Sequence, residues 1–129
     1  MLAGTYRQKH SAEYRRSESE DIRRLHPDRI PIIAEVHPTS QDALLADGVA
    51  VRYKYLVPDE MNVANFLIVL RGRMQVPSDQ ALYLFVTDAA GSTSRLITGG
   101  QMLSAVYERN KSVEDGYLYV VYATESTFG

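Results

Sequence analysis

The amino-acid sequence predicts an α+β fold in which a four-stranded mixed sheet packs across one long helix. Four segments carry the alternating or continuously apolar pattern of strands, and they are residues 29–37, 49–57, 81–87 and 117–123. Between the second and the third of these, apolar residues recur at helical spacing. With 129 residues, of which 45% are apolar, the chain is long enough to bury a core as one domain.

An amphipathic helix is predicted within residues 11–29. Ser11 is a suitable N-cap, and Pro27 ends the helix because a residue that precedes proline disfavours helical geometry. Three apolar residues fall near one face of this helix: Tyr14, Ile22 and Leu25. The strand of residues 29–37 follows, and Pro31, which has no N–H, lies near its beginning or marks a sheet edge.

The remaining elements follow in order. Residues 38–48 are rich in turn formers and predict a loop before the second strand. Asn62 is a suitable N-cap for the long helix, whose apolar residues have the i, i+3, i+4, i+7 pattern: Val63, Phe66, Leu67, Leu70 and Met74. The third strand, 81–87, is apolar throughout and is predicted to be central. A turn, a short helix over residues 100–110 and the last strand complete the chain.

This order of elements is that of the ubiquitin-like β-grasp. Because the sequence contains no internal repeat and no linker, residues 1–129 are predicted to form a single domain. Its parts are an N-terminal helical extension over residues 1–27, and a β-grasp core with a C-terminal tail over residues 28–129.

The composition excludes several classes of function. The chain has no cysteine, so it has no disulfide, thiolate metal site or thiol nucleophile, which suits a reducing compartment. No segment approaches the ~20 apolar residues of a membrane-spanning helix, and the first residues lack a signal-peptide core. Any membrane role is therefore expected to come from an added lipid or from surface contact.

The net charge of −2 hides an asymmetry. Residues 1–30 contain seven of the fourteen basic residues and five acids, a balance of +2; the remainder has seven bases and eleven acids, a balance of −4. The basic segment is interpreted either as a solvated helix face or as a surface for anionic partners such as anionic lipid. No nucleic-acid partner is predicted.

Catalysis is not predicted. No GxSxG motif is present, and the three histidines, His10, His26 and His37, do not have the spacing of metal ligands. The sequence TGGQ at 98–101 lacks the lysine of a phosphate-binding loop. We therefore expect no enzymatic activity, no metal and no cofactor.

The second strand indicates peptide binding. Arg52 and Lys54 alternate with Tyr53 and Tyr55, and an edge strand exposes backbone groups that an extended peptide can pair with. The alternative is that the two positive charges protect the edge against self-pairing. In the long helix, Phe66 and Val69 extend the apolar face sideways, which fits either a partner groove or a wide core face; all these alternatives stay open.

The C-terminal residues raise a further question. The last strand is followed by a few small polar residues, an aromatic residue and Gly129. One interpretation is an arbitrary end; the other is that the terminal glycine carboxyl is a functional group.

The sequence resembles the autophagy-related ubiquitin-like modifiers, the lipid-conjugated group that includes GABARAP. The segments that carry the resemblance are YRQKHSAEYRRSESEDIRRLHPDRIPIIAE, KYLVPDEMNVANFLIVLRGRM, ALYLFV and ESTFG. Among them, RRSE, PDRIPII and KYLVP with an aromatic-glycine ending form a specific combination. The resemblance implies a β-grasp with two extra N-terminal helices.

The resemblance also implies conjugation. In such modifiers a processing protease exposes the terminal glycine, and activating and conjugating enzymes transfer it to the amine of phosphatidylethanolamine. Gly129 matches that glycine. The implied locations are the cytoplasm and, after lipid attachment, the membrane of autophagosomes and other vesicles. Either the precursor continues beyond Gly129 or the chain is made in its mature form, and the sequence leaves both open.

A second implied function is the binding of aromatic-x-x-aliphatic peptides on cargo receptors and adaptors. The pocket for the aromatic residue would be formed by Glu18, Ile22, Pro31, Lys54, Leu56 and Tyr117. The aliphatic pocket would be formed by Tyr55, Val57, Pro58, Met61, Phe66 and Val69. Acidic residues that flank the motif would meet Arg29, Arg52 and Arg73. In such proteins the surroundings of the strand Leu82 to Val86 offer a further docking surface.

The sequence departs from the family pattern at several positions. Ser11-Ala12 stands where Pro-Phe is frequent, Tyr117 replaces a typical Phe, and residues 38–51 form a longer loop. Gly72 lies inside a helix, at a cost of about 1 kcal/mol relative to Ala. The alternative function is a β-grasp adaptor that binds peptides or tubulin and is either unconjugated or conjugated to protein.

Overall fold

The computed structural model of the chain describes residues 5–37, 52–74, 79–91 and 94–124. The helices are α1 (Tyr6–Lys9), α2 (Ala12–Leu25), α3 (Val63–Met74) and α4 (Leu103–Asn110). The strands are β1 (Arg29–Val36), β2 (Arg52–Pro58), β3 (Leu82–Thr87), β4 (Ser94–Leu96) and β5 (Leu118–Thr124). The predicted loop over residues 38–48 and the terminal Gly129 lie outside the described residues.

The strands form one mixed sheet in the order β2-β1-β5-β3-β4. At its centre β1 and β5 run parallel, with Ile32 opposite Leu118, and the other neighbouring pairs are antiparallel. In β1, every residue from Ile30 to Ala34 is buried, because helices cover both faces of the sheet there. The predicted ubiquitin-like α+β fold is confirmed.

The sheet has five strands among the described residues, and the expected number of four was wrong. The additional strand, β4, has three residues, all exposed, and it pairs with β3 through Phe85 and Leu96. Three exposed residues are too few to carry a periodic pattern, so the sequence alone predicts no strand there. β4 forms the edge of the sheet, so β3 lies between two strands, as predicted.

The helix boundaries follow their local signals. The Ser11 hydroxyl accepts the Tyr14 N–H at 3.1 Å, and α2 ends two residues before Pro27. The Asn62 side chain accepts the Asn65 N–H at 2.9 Å at the start of α3. The short α1, which the resemblance implied, begins at a capping box in which Thr5 and Gln8 bond each other's backbone N–H.

The face by which α2 packs differs from the expectation. Tyr14 and Leu25 are 50% and 63% exposed, and of the three predicted apolar residues only Ile22 packs against a core cluster. The buried residues of α2 are instead Arg15 and Ser19. The expected apolar stripe was wrong because α2 is held mainly by polar contacts, which hydrophobic periodicity does not report.

Two apolar clusters lie on opposite faces of the sheet. The larger one packs α3 and α4 against the sheet, with Phe66, Leu70 and Leu103 completely buried. The smaller one lies under α1 and α2, and its buried members are Tyr6, Ile33, Tyr117 and Tyr119.

A buried ion pair anchors α2 to the turn before β5. The Arg15 guanidinium pairs with the carboxylate of Asp115 and lies 2.8 Å from Glu114. Asp115 is 2% exposed and also accepts the Tyr119 hydroxyl at 2.6 Å and the Tyr117 N–H at 2.9 Å. The carboxylate therefore connects α2, the turn and β5 in one network.

Gly116 is required in this turn. Its φ of +83° is in the left-handed region, and a Cβ there would lie 3.0 Å from the Ser19 hydroxyl. The same hydroxyl donates to the carbonyl of Asp115, so the turn approaches α2 closely.

Replacing Asp115 by Asn should lower the free energy of unfolding by about 3 kcal/mol, because the buried Arg15 guanidinium loses its charged partner. Urea denaturation at pH 7 measures the change. The matched control is Asp21→Asn, which removes the exposed Asp21–Arg24 pair (3.0 Å) and should cost less than about 1 kcal/mol. Equal losses in the two variants would contradict the anchoring role of Asp115.

Candidate peptide-binding groove

The candidate groove follows the exposed edge of β2. β1 pairs with one side of β2, and no other described segment pairs with its outer side. Lys54 contacts Glu18 of α2, whereas Tyr55 packs against the core cluster that includes α3. Because side chains alternate along a strand, Lys54 and Leu56 lie on the α2 side of the edge, and Tyr55 and Val57 lie on the α3 side.

The six residues predicted for the aromatic pocket lie together on the α2 side. Glu18 accepts a hydrogen bond from Tyr117 and lies 2.9 Å from the Lys54 ammonium. Ile22 packs against the cluster that contains Tyr117. The remaining two residues are cross-strand partners, Pro31 on β1 and Leu56 on β2, and Leu56 is 38% exposed.

Tyr117 does not lie at the rim of this pocket. Its side chain is completely buried, and its hydroxyl donates a hydrogen bond to Glu18 from the interior of the protein. The residue therefore supports Glu18 instead of offering a hydroxyl to a ligand.

Tyr6 is a member of the site that the sequence analysis missed. Its hydroxyl donates to the same Glu18 oxygen as that of Tyr117, and the Lys54 ammonium lies 5.2 Å from the centre of its ring. The spacing of Thr5 and Gln8 is that of a capping box and was the signal that could have revealed the helix carrying Tyr6.

The electrostatics of the site centre on Glu18. Burial alone would raise the pKa of Glu18, but hydrogen bonds from Tyr117, Tyr6 and Lys54 outweigh it and lower the pKa to about 2. Burial alone would lower the pKa of Lys54, but the hydrogen bond to Glu18 outweighs burial and raises that pKa. Both side chains therefore remain charged at neutral pH.

The residues predicted for the aliphatic pocket lie on the α3 side. Tyr55 meets Phe66 edge to face, with ring centres 5.2 Å apart, and Met61 packs against the same cluster. Phe66 and Val57 are buried, Pro58 is partly exposed, and Val69 is 39% exposed. Of the two residues that widened the helix face, Phe66 is thus a core residue, whereas Val69 reaches the surface.

The three arginines predicted to meet acidic residues are distributed along the groove. Arg29 is exposed at the start of β1, opposite Pro58, and the Arg73 guanidinium lies 5.6 Å from the centre of the Tyr55 ring. The backbone of Arg52 pairs with Glu35, and its side chain is outside the described part.

The arginines of α2 make intramolecular contacts. Besides the buried Arg15, Arg16 donates to the Glu114 carbonyl at 3.0 Å and Arg23 to the Pro27 carbonyl at 3.0 Å. Arg24 pairs with Asp21 of the same helix. The predicted basic surface is therefore largely occupied by structural contacts of the protein itself.

A cavity of about 540 Å³ lies between α2 and residues 107–116 and shares no lining residue with the groove. Within the described ranges, no group of three or more His, Asp or Glu residues could hold a metal ion, and no helix has the length and apolarity needed to cross a bilayer.

Replacing Glu18 by Gln should lower the free energy of unfolding at pH 7 by about 1–3 kcal/mol, because the folded state holds the carboxyl pKa well below its ordinary value. Since the folded pKa is about 2 and the ordinary value is 4.5, this stabilisation is complete above pH 4.5 and is lost as the pH falls towards 2. Urea denaturation between pH 7 and pH 2.5 should show the gap between the two proteins closing. The control Glu60→Gln removes an exposed carboxylate and should cost less than about 1 kcal/mol at pH 7. A constant gap for Glu18→Gln would contradict the assignment.

Comparison with known proteins identifies the family. The family model described as "Autophagy protein Atg8 ubiquitin like" matches residues 14–129. The "Autophagy-related protein 8" of Mycosarcoma maydis is 38% identical over 128 residues, which cover 99% of this chain and 98% of that protein. The protein of the same name from Schizosaccharomyces pombe is 38% identical over 119 residues, with 92% and 88% covered.

A solved structure supports the same family. The crystal structure of Trypanosoma brucei ATG8 superposes with a TM-score of 0.80 at 30% identity, covering 99% of this chain and 100% of that one. The family match, the two relatives and the shared fold together show that the chain belongs to the Atg8 family of ubiquitin-like autophagy proteins.

Proposed function

We propose that this autophagy protein is a modifier joined through the carboxyl of Gly129 to phosphatidylethanolamine on autophagosomal membranes. In this proposal the edge of β2 binds aromatic-x-x-aliphatic segments of cargo receptors and of the autophagy machinery. The observation that carries the peptide-binding part is an edge strand, β2, with exposed apolar residues on both of its sides. Leu56 lies on the side of α2, and Val69 of α3 lies on the other side.

The spacing of the motif supports this assignment. In an extended peptide added to β2, residues i and i+3 point to opposite faces, because side chains alternate along a strand. An aromatic residue at i and an aliphatic residue at i+3 therefore need two pockets on opposite sides of one edge. The residues around Leu56 and those around Val69 meet this requirement, and backbone pairing along β2 supplies the common register.

Charge and size define the expected ligand further. Lys54, Arg29 and Arg73 favour peptides with acidic residues beside the motif. A contact of a few residues buries far less than a standard interface, so we expect affinities on the order of micromolar.

The proposed conjugation depends on the family and on the chemistry of glycine. Gly129 lies five residues beyond Thr124, outside the described part of the chain. Without a Cβ, a terminal glycine passes through narrow enzyme clefts and leaves its carboxyl sterically open. The thiols for transfer would belong to the activating and conjugating enzymes, and the two acyl chains, at ~0.8 kcal/mol per buried CH₂, would provide the anchor. The protein would thus move between the cytoplasm and the vesicle membrane.

Replacing Leu56 by Ala should weaken binding of an aromatic-x-x-aliphatic peptide about tenfold, because the aromatic residue loses apolar contact on the α2 side. Isothermal titration calorimetry measures the affinity. The matched control is Leu96→Ala, which truncates a leucine of similar exposure (48%) on β4, the opposite edge of the sheet. Both variants should retain nearly the same melting temperature, and equal affinities in the two variants would contradict the location of the groove.

Replacing Gly129 by Ala, or deleting it, should abolish lipid attachment in a reaction reconstituted with the activating and conjugating enzymes and phosphatidylethanolamine vesicles. The mass of the product measures attachment. The control is Gly72→Ala, at an exposed helical position where an added Cβ would meet no atom within 4 Å, and this variant should be conjugated normally. Undiminished attachment of the Gly129 variant would overturn the proposal, and an isopeptide adduct or a free terminus on the cellular protein would favour a protein-conjugated or unconjugated adaptor.

A further inference from the structure

Three donors converge on one oxygen of Glu18. The hydroxyls of Tyr6 and Tyr117 both donate to Oε1, and the Lys54 ammonium lies 2.9 Å from the same atom. The second oxygen, Oε2, accepts the Tyr14 hydroxyl at 3.2 Å. The carboxylate thus has three hydroxyl donors in addition to its cation.

The three donors to Oε1 differ in how freely they can move away from that atom. The side chains of Tyr6 and Tyr117 are 4% and 0% exposed, and their rings pack edge to face with centres 5.8 Å apart. The side chain of Lys54, by contrast, is 44% exposed and stands on the edge strand. Among the three donors to Oε1, Lys54 is therefore the one that can turn towards a ligand, whereas the hydroxyls of Tyr6 and Tyr117 cannot.

The hydroxyls of Tyr6 and Tyr117 determine how much free energy it costs Lys54 to leave Glu18. The carboxylate of Glu18 is only 22% exposed, and removing the partner of such a carboxylate destabilises the protein when nothing replaces the partner. Here the departure of Lys54 leaves the Tyr6 and Tyr117 hydroxyls on the same oxygen, so that the negative charge remains hydrogen-bonded. The cost of releasing the ammonium is correspondingly small.

We propose that the buried hydroxyls of Tyr117 and Tyr6 are positioning groups that keep Glu18 as a satisfied anion and thereby release Lys54 to bind an acidic side chain of the peptide on β2. The inference rests on the proposed peptide groove. It assigns to Tyr117, which a ligand does not touch, a role in the preference for acidic peptides.

The first experiment compares two peptides that share one aromatic-x-x-aliphatic core and carry either Glu or Gln before the aromatic residue. Wild-type protein should prefer the Glu peptide about three- to fivefold, as expected for an exposed ion pair. In Tyr117→Phe the preference should fall towards one, because Glu18 then keeps only the Tyr6 hydroxyl on Oε1 and holds Lys54 more firmly. The affinity for the Gln peptide should stay the same, which a merely structural role of Tyr117 would not predict.

Two control variants sharpen this comparison. Tyr119→Phe removes a different buried hydroxyl, the one on β5 that donates to Asp115, and should leave the preference unchanged. In a Glu18→Gln background, Tyr117→Phe should have no further effect on the preference. A preference that Tyr117→Phe leaves at the wild-type value overturns the inference, whereas failure of wild type to bind either peptide refutes the groove itself.

A second measurement needs no peptide. NMR titration of the Glu18 carboxyl in Lys54→Ala should find a pKa still below the ordinary value of 4.5, because the phenols remain. In the double variant Lys54→Ala/Tyr117→Phe the pKa should rise. An ordinary or raised pKa in Lys54→Ala alone would overturn the inference, because the phenols would then fail to hold the anion.

Discussion

At the centre of the sheet β1 runs parallel to β5, with Ile32 opposite Leu118. This pairing fixes the position of the candidate groove and of the residues that support it. It leaves β2, the antiparallel partner of β1, as an edge. It also brings the start of β5 beneath the N-terminal helices, so that Tyr117, almost a hundred positions away in the chain, meets Glu18. An edge for backbone pairing and a buried support for its charged residues thus follow from one strand pairing.

The two faces of the sheet are covered in different ways. α3 and α4 pack by apolar side chains, as helices over a sheet ordinarily do. α2 instead docks by Arg15 and Ser19, which bond the turn at Asp115. Apolar contacts have little directionality, whereas hydrogen bonds and ion pairs fix the register of a helix on its neighbour. Because Glu18 belongs to the same helical turn, this anchor also fixes the carboxylate over Tyr117.

The sequence predicted those elements whose signals are local. The caps Ser11 and Asn62, the apolar face of α3 and the exposed edge of β2 are all recognisable within a dozen residues of sequence. The three residues of β4 and the polar docking face of α2 were not predicted. A three-residue strand has no period to detect, and the partner of Arg15 lies 100 positions away. The role of Tyr6 was missed for the same reason, since it appears only when α1 and α2 are placed over β5.

A carboxylate within the groove that we propose for acidic peptides requires an explanation. Isolated, Glu18 would repel such a ligand and would hold Lys54 in a closed pair. Two phenols on the same oxygen change this balance, because their O–H groups stabilise the anion without bringing a charge of their own. The carboxylate then orients Lys54 at the edge of β2 while the protein is empty, and it remains hydrogen-bonded when the ammonium turns away. The pair therefore preorganises a cation at the groove, and the buried tyrosines reduce the cost of releasing it.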